Sequence, residues 1–257
     1  MLAICLLSII PVRREPSNKS EMVSQILFGE TVEVIDKKDS WRKVRIIHDG
    51  YIGWVDIKQI TELTPDEQEK FKSPSDTFSL DLVQLIISGP TQVTPLLMGS
   101  CLPGFKDKVS QINGQEYRFE GSVRKVSTED PGKLIDYAYM YLNAPYLWGG
   151  RSPFGIDCSG FTQMILRLCG KSIARDAWQQ AEAGETIHLL EESRTGDLAF
   201  FDNAEKKIIH TGIILQDNKI IHASGKVRID RLDHQGIYNS ERKEYTHNLR
   251  LIKRYFN

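Results

Sequence analysis

Hydrophobic and polar positions alternate with a period of about two through much of the first 62 residues. The stretch "ILFGETVEVIDKKDSWRKVRI" alternates around a polar turn at Lys37–Ser40, and "DGYIGWVD" adds another turn and strand. Many short strands separated by turn signals predict a small β-barrel. "TPDEQEKF" (64–71) is polar and charged, and reads as a linker or a short helix. Residues 78–126 return to strand-like patterning in "LVQLIISGPTQVTPLLMGSCLPGF" and "QEYRFEGSVRKV". A second small barrel is expected there on strand pattern and length alone, since no convincing self-alignment links it to the first.

From Thr128 the periodicity changes. "STEDPGKLIDYAYMYLNAPY" offers a capping residue, an acidic first turn, an early Pro131 and apolar positions at Leu134, Ile135, Ala138 and Leu142, the spacing of an amphipathic helix. A second helix is predicted from near Cys158 to Gly170, and a third, "RDAWQQAEAG", from about Asp176 to Gly184. The rest is strand-like: "GDLAFFD", "IIHTGIILQ", "KIIHAS", "VRIDRL" and "LRLIKRYF". Helices followed by an antiparallel sheet make an α+β domain. The expected organisation is two β modules, 1–62 and 63–127 (the second opening with a linker over 63–77), followed by an α+β domain over 128–257.

Composition changes this picture little. The chain is 40% hydrophobic and 26% charged, ordinary for a globular protein. Lys plus Arg (33) nearly cancels Asp plus Glu (34), so the basic surplus of a nucleic-acid binder is absent. Residues 2–12, "LAICLLSIIPV", look at first like a signal peptide, but no basic residue precedes them and Arg13 and Arg14 follow. The run is too short to span a bilayer. It reads as one buried strand, which implies a chain starting near Met1, working in the cytoplasm and making no membrane contact; a leader already removed would leave the same sequence. Of the four cysteines, Cys5, Cys101 and Cys169 are expected to pack as small apolar residues, and no spacing suggests a zinc site.

Cys158 stands apart. It follows the glycine-rich approach "YLWGGRSPFGIDCSGF" and opens a predicted helix. A thiol attacks as thiolate, and a helix N-terminus or a nearby imidazolium lowers its pKa. With Asp157 at the N-cap and Cys158 in the first turn, the helix start is expected to make the sulfur acidic. Gly149, Gly150 and Gly155 are expected to let backbone and substrate approach it. The competing reading is a packed structural cysteine behind a loop.

Among six histidines, His48, His188, His234 and His247 lie in polar, turn-like surroundings and are expected to be solvated. His210 and His222 lie inside apolar strand runs, where one histidine alone would read as a core residue. Register decides whether they meet. A three-residue hairpin loop at Gln216–Asn218 puts His222 opposite Gly212 and diagonal to His210, roughly 7–8 Å apart at Cα and on one face. A two-residue turn would put them on opposite faces. The odd loop is the expectation, with Gly212 leaving room over its strand. His210 would then take the proton of Cys158 and His222 would hold the ring of His210. The backbone N–H of Cys158 and the hydroxyl of Tyr146 are candidate oxyanion donors.

The order of hydrophobic strand, "GETVEV", a Trp strand and "GYIGWV" resembles a bacterial SH3-like domain. The motifs "APYLWGGRSPFGIDCSGF", "RTGDLAFF", "HTGIIL" and "IIHAS" resemble the NlpC-type cysteine peptidases over about residues 128–257. The resemblance implies a papain-like catalytic domain, helices packed on an antiparallel sheet, preceded by two small SH3-like β-barrels. It implies Cys158 as nucleophile, His210 as base and His222 as third member. No cofactor is expected, and a metal site built from Cys158, His210 and His222 is not expected either, since no local metal-ligand spacing or nearby acidic ligand supports it. The combination looks like the γ-D-glutamyl-L-diamino-acid endopeptidases that act on murein stem peptides with a free N-terminal L-Ala. In such relatives the first SH3-like domain walls off one end of the cleft.

The same resemblance implies substrate contacts at Glu21, Tyr51, Tyr146, Asp157, Ser159, Asp176 and Ala177. An ammonium in a partly closed site needs carboxylates around it. Read alone, Glu21 is a solvated loop carboxylate, Tyr51 is ordinary barrel packing and Asp176 is a helix cap. Ala177 departs from the family pattern, which tends to carry serine there, so that position offers no side-chain hydrogen bond. The expected partner is thus a murein stem peptide, with no nucleic acid, and the chain is expected to be a monomer. Alternatives are a non-catalytic wall-peptide binder, or an acyltransferase or amidase of the same superfamily. Lysine and diaminopimelate are not distinguished.

Overall fold

The computed structural model of the chain describes residues 1–256. Backbone proximity groups them into two units, the first Met1–Ser127 with Trp148–Pro153, the second Thr128–Leu147 with Phe154 onward.

In the first unit, β1 (Leu2–Ile4), β2 (Ile9–Arg13), β3 (Met22–Leu27), β4 (Thr31–Lys38), β5 (Trp41–Ile46), β6 (Ile52–Asp56) and β7 (Thr61–Glu62) form one antiparallel sheet, ordered β3-β2-β6-β5-β4-β1-β7. The leader-like run is therefore two strands rather than one. β1 pairs with β4 and β7, whereas β2 pairs with β3 and β6. Its unbroken apolar character has a physical cause. Strand side chains alternate between faces. Ala3 and Cys5 face a core with Ile10, Val12, Ile26 and Val44, while Ile4 faces another with Phe28, Leu63, Ile86 and Phe119. A strand between two cores needs apolar residues at successive positions.

Beyond β7 come α1 (Pro65–Lys70), β8 (Thr77–Ser79), β9 (Val83–Ser88), β10 (Gln92–Leu97), β11 (Val109–Ile112), β12 (Gln115–Phe119) and β13 (Val123–Lys125), and β9–β12 line the second core through Ile86, Leu96, Ile112, Tyr117 and Phe119. These strands make a sheet ordered β10-β9-β12-β11 and a β8–β13 pair. The two halves share the cluster that joins Ile4 and Phe28 to Phe71 and Phe119.

Residues 148–153, with β14 (Arg151–Ser152), are held in this unit by a buried ion pair. Arg151, fully buried, donates Nη1 and Nη2 to the two Glu30 carboxylate oxygens at 2.8 and 3.0 Å, and its backbone N–H donates to Gln25 Oε1 at 2.7 Å. His48, expected in solvent, is instead buried against this pair, its Nε2 3.1 Å from Arg151 Nη2. Gly149 also serves this unit: at φ +76°, a Cβ there would sit 2.5 Å from the Met22 carbonyl oxygen. That close approach requires glycine at this position.

The second unit contains α2 (Leu134–Met140), β15 (Gly155–Ile156), α3 (Cys158–Leu168), α4 (Ala177–Gln180) and β16 (Glu185–Ile187), then β17 (Leu198–Asp202), β18 (Ile208–Leu215), β19 (Lys219–Ser224), β20 (Lys226–Leu232), β21 (Gly236–Asn239) and β22 (Glu244–Arg254). The sheet runs β16-β22-β17-β18-β19-β20-β21, and β22 also pairs with β21. That extra pairing closes β17–β22 into an antiparallel ring with no free edge. Ala199, Phe201, Ile214, Ile220, Leu232, Ile237 and Ile252 cluster on one of its faces. Helix α3 packs against β18 and β19.

The third helix is shorter than its sequence predicts. After Gln180 the bonds tighten to i→i−3, Glu182 to Gln179 and Ala183 to Gln180, and Gly184 ends the turn at φ +77°. Gly155, like Gly149, answers a packing demand: a Cβ would lie 2.7 Å from Leu147 Cδ2.

Candidate active site

Asp157 caps α3, its Oδ1 accepting from the Gly160 N–H at 2.7 Å, and Cys158 is the first helical residue. The cap is locked from outside the helix. Arg175 donates Nη1 to Asp157 Oδ1 at 3.0 Å and Nη2 to Oδ2 at 2.7 Å, and its Nη1 also reaches Ser159 Oγ at 2.9 Å. Asp157 and Ser159, expected to touch substrate, are thus committed to a buried guanidinium. Arg175 carried no local sequence signal, because the pairing spans 18 residues.

Cys158 is 6% exposed, and its sulfur takes backbone hydrogen bonds from Thr211 and Ser159, which seats it against β18 one residue from His210. Burial pushes the thiol up to about 12, and the Asp157 carboxylate adds to the rise. Those backbone N–H groups and Arg175 pull the other way without overcoming it. The expectation that the helix start makes this sulfur acidic is therefore corrected. At rest desolvation outweighs the helix end, and the thiol keeps its proton.

The strand geometry follows the odd-loop register. Leu215 pairs with Lys219 across Gln216–Asn218, and Gly212 lies opposite His222. Asp217 and Asn218 turn the chain at φ 58° and 54°, a conformation that Asp and Asn tolerate better than most residues. A Cβ on Gly212 would lie 2.7 Å from His222 Cβ, so the missing side chain makes the room. His210 Nε2 and His222 Nδ1 are 2.8 Å apart, both rings buried on one face.

Three further side chains complete the cluster. Asp230 Oδ2 lies 3.0 Å from His222 Nε2, and Arg228 grips the same carboxylate through Nε (2.6 Å) and Nη2 (3.0 Å). His247, expected in solvent, is half-buried with its ring stacked on His210. Its partner across β21 is Ile237 of the barrel cluster, so parity turns it inward. Asp230 could have been found in the sequence. The tight turn at Gly225 puts Asp230 opposite Ile220, diagonal to His222, by the arithmetic that pairs the histidines. His247 had no comparable signal, since β22 reaches the cluster from the far end of the chain.

Burial pushes His210 well below the usual imidazole range, helped by its neighbours His222 and His247. Desolvation also lowers His222, against the pull of Asp230, and lowers His247 to about 4. The cluster is thus neutral near pH 7 apart from Asp230 and Arg228. Burial likewise raises the Tyr146 phenol, which sits in the field of Cys158 and Asp157. Asp176 caps α4 in a capping box with Gln179, and Ala177 is buried. Glu21 and Tyr51 belong to the first unit. There Glu21 accepts from Trp148 Nε1 at 2.7 Å and pairs with Arg14 Nε at 2.8 Å, and Tyr51 packs on the barrel core. Among the described residues no group of His, Cys, Asp and Glu is arranged to hold a metal ion, and no helix is long and apolar enough to cross a membrane.

A cysteine at a helix start, seated beside a histidine on a closed antiparallel sheet, is a papain-like arrangement, and the class it defines is a cysteine peptidase. Residues 143–246 match the NlpC/P60 family and residues 12–60 match the bacterial dipeptidyl-peptidase Sh3 domain. The chain belongs to the NlpC/P60 family, with an SH3-like domain N-terminal to the peptidase fold. It is similar to the gamma-D-glutamyl-L-lysine dipeptidyl-peptidases of Bacillus cereus (30% identical, 80% of this chain and 68% of the relative) and Bacillus subtilis (32%, 78% and 71%). A solved NlpC/P60 family protein from Bacillus cereus shares the fold with TM-score 0.81 over 99% of each chain, at 23% identity.

Proposed function

We propose that the chain hydrolyses the γ-D-glutamyl–L-diamino-acid bond of murein stem peptides that carry a free N-terminal L-Ala. The observation that carries the chemistry is the run Cys158, His210, His222, Asp230 on one helix start and three consecutive strands. The names and identities of the Bacillus relatives support the substrate. On substrate binding, the Cys158 proton passes to His210 as the sulfur bonds the carbonyl carbon. The Cys158 N–H and the Tyr146 hydroxyl are assigned to the oxyanion. The C–N bond then breaks as His210 returns the proton to the leaving amine, and water releases the acyl group by the reverse roles.

Asp176 is assigned to the substrate amine; Glu21 and Tyr51 are carried as substrate contacts by the family resemblance alone. Asp157, Ser159 and Ala177 stay in the proposal as backbone and shape contacts. The proposal also takes residues 63–127 as a second SH3-like module, supported by their antiparallel strands, the chain as a monomer, and the reaction as cytoplasmic. Sedimentation and cell fractionation test the last two.

The decisive experiment digests L-Ala-γ-D-Glu-L-Lys, its diaminopimelate counterpart and their N-acetylated forms, with products read by mass spectrometry. Cleavage of unblocked peptides only, abolished in Cys158→Ala, is expected. Equal cleavage of acetylated peptides would refute amine recognition, and turnover by Cys158→Ala would refute the nucleophile.

A further inference from the structure

A neutral imidazole carries one N–H, so in a chain of touching rings each hydrogen bond dictates the next. The chain here ends on a carboxylate. Asp230 is buried on β20 and receives two bonds from Arg228, which is tied in turn to Glu241 at 3.2 Å. Burial alone would raise the Asp230 carboxyl, but the hydrogen bonds from His222 and Arg228 outweigh it and hold the group below its ordinary range. Asp230 is therefore ionised and can only accept.

We propose that Asp230 is a positioning residue: gripped by Arg228, it fixes which nitrogens of His222 and His210 carry protons, and so leaves Nδ1 of His210 as the nitrogen able to accept one. The inference rests on the reading of His210 as the base. His222 Nε2, 3.0 Å from an acceptor-only oxygen, carries its proton there. His222 Nδ1 is then a bare lone pair, and the 2.8 Å contact to His210 Nε2 requires the proton to come from His210. His210, buried and neutral, has spent its one N–H, and Nδ1 is bare. The reverse order would set the lone pair of His222 Nε2 against the carboxylate, a repulsion that burial magnifies. The other rings facing His210 do not compete for its Nε2: Phe201 offers only ring carbons, its centroid 5.8 Å from that of His210, and His247 presents its ring face.

Loss of Asp230 has a directional consequence. Arg228, a donor only, would be the charged group left beside His222 Nε2, and a donor there favours the reversed proton order. Nδ1 of His210 would then carry a proton and could not act as base.

The test is ¹⁵N-resolved NMR of the histidine side chains at pH 7, with kcat and KM on the tripeptide, for the wild type, Asp230→Ala and Asp230→Asn. His210 Nδ1 is expected at an unprotonated shift in the wild type and to move toward the protonated range in Asp230→Ala. There kcat should drop about 10–100-fold with KM nearly unchanged, the size seen when an orienting partner is lost. Should Asp230→Ala fail to fold, the isosteric Asp230→Asn carries the test, because an amide N–H beside His222 mixes the two orders and displaces the Nδ1 shift. An unchanged Nδ1 shift in a folded variant, with kcat within twofold of wild type, would overturn the proposal. The nitrogen shifts need no turnover. If they move as expected while Cys158→Ala still cleaves substrate, the catalytic reading has failed and the proton order stands.

Discussion

The imidazole of His247 lies flat on that of His210, centroids 4.1 Å apart and planes inclined by 24°. The two rings come from strands β22 and β18, and Phe201 flanks both, its centroid 5.8 Å from His210 and 6.0 Å from His247. A stacked neighbour blocks one face of His210 from water and penalises any positive charge on it. The resting state that follows is a neutral imidazole beside a neutral thiol, and the pH behaviour of the protein should reflect that pairing.

The acid limb of activity should lie low. His210 accepts a proton only while neutral, and burial with His222 and His247 moves its protonation well below 6.5. A plot of kcat/KM against pH is expected to stay flat through 6.5 and to fall only at lower pH. A limb at or above 6.5 would contradict the neutral cluster.

Acid should also weaken the fold through His247. With a folded pKa of about 4 against 6.5 in the unfolded chain, its protons bind the unfolded state more strongly as pH falls through that window. The loss amounts to about 3 kcal/mol between pH 7 and pH 4. Denaturation of His247→Leu at both pH values should show an acid loss smaller than wild type by about that amount.

The thiol should be slow toward simple alkylating agents. With burial raising Cys158 to about 12, its thiolate fraction at pH 7 is below that of a free cysteine in solution. Iodoacetamide labelling followed by mass spectrometry is expected to be slower than for a small thiol at pH 7, and to accelerate on into the alkaline range. Labelling faster than the small thiol would mean that the ion pair already exists at rest.

Gly212→Ala places a methyl 2.7 Å from His222 Cβ and close to Ile220. Overpacking of this kind costs about 1–3 kcal/mol, and the backbone shift should pull His222 from His210. Thermal melts should show the destabilisation, and kcat should fall by more than the melts alone explain.

Arg151→Ala leaves Glu30 buried without its bidentate partner. Removing one member of a buried pair costs about 3–5 kcal/mol. Urea denaturation should show a loss of that size, whereas replacement of both residues by apolar side chains of similar volume should cost much less.

The helix start at Asp157–Cys158 and the odd loop at Gln216–Asn218 were legible in the sequence, because a cap and a hairpin register are short-range matters of spacing and turn chemistry. The same counting, carried one strand further, would have reached Asp230. The split of residues 2–12 into two strands was hidden, since an apolar run has no period until two cores define its faces.

What the sequence determined by itself was which side chains share a face: His210 with His222, and the thiol at a helix end. What only the tertiary structure decided was their charge and company. Arg175 on the Asp157 cap, the His247 stack and the burial of Cys158 all bring together residues distant in the chain. Local spacing orients a side chain, but desolvation and pairing set its protonation, and both depend on the elements that close over it.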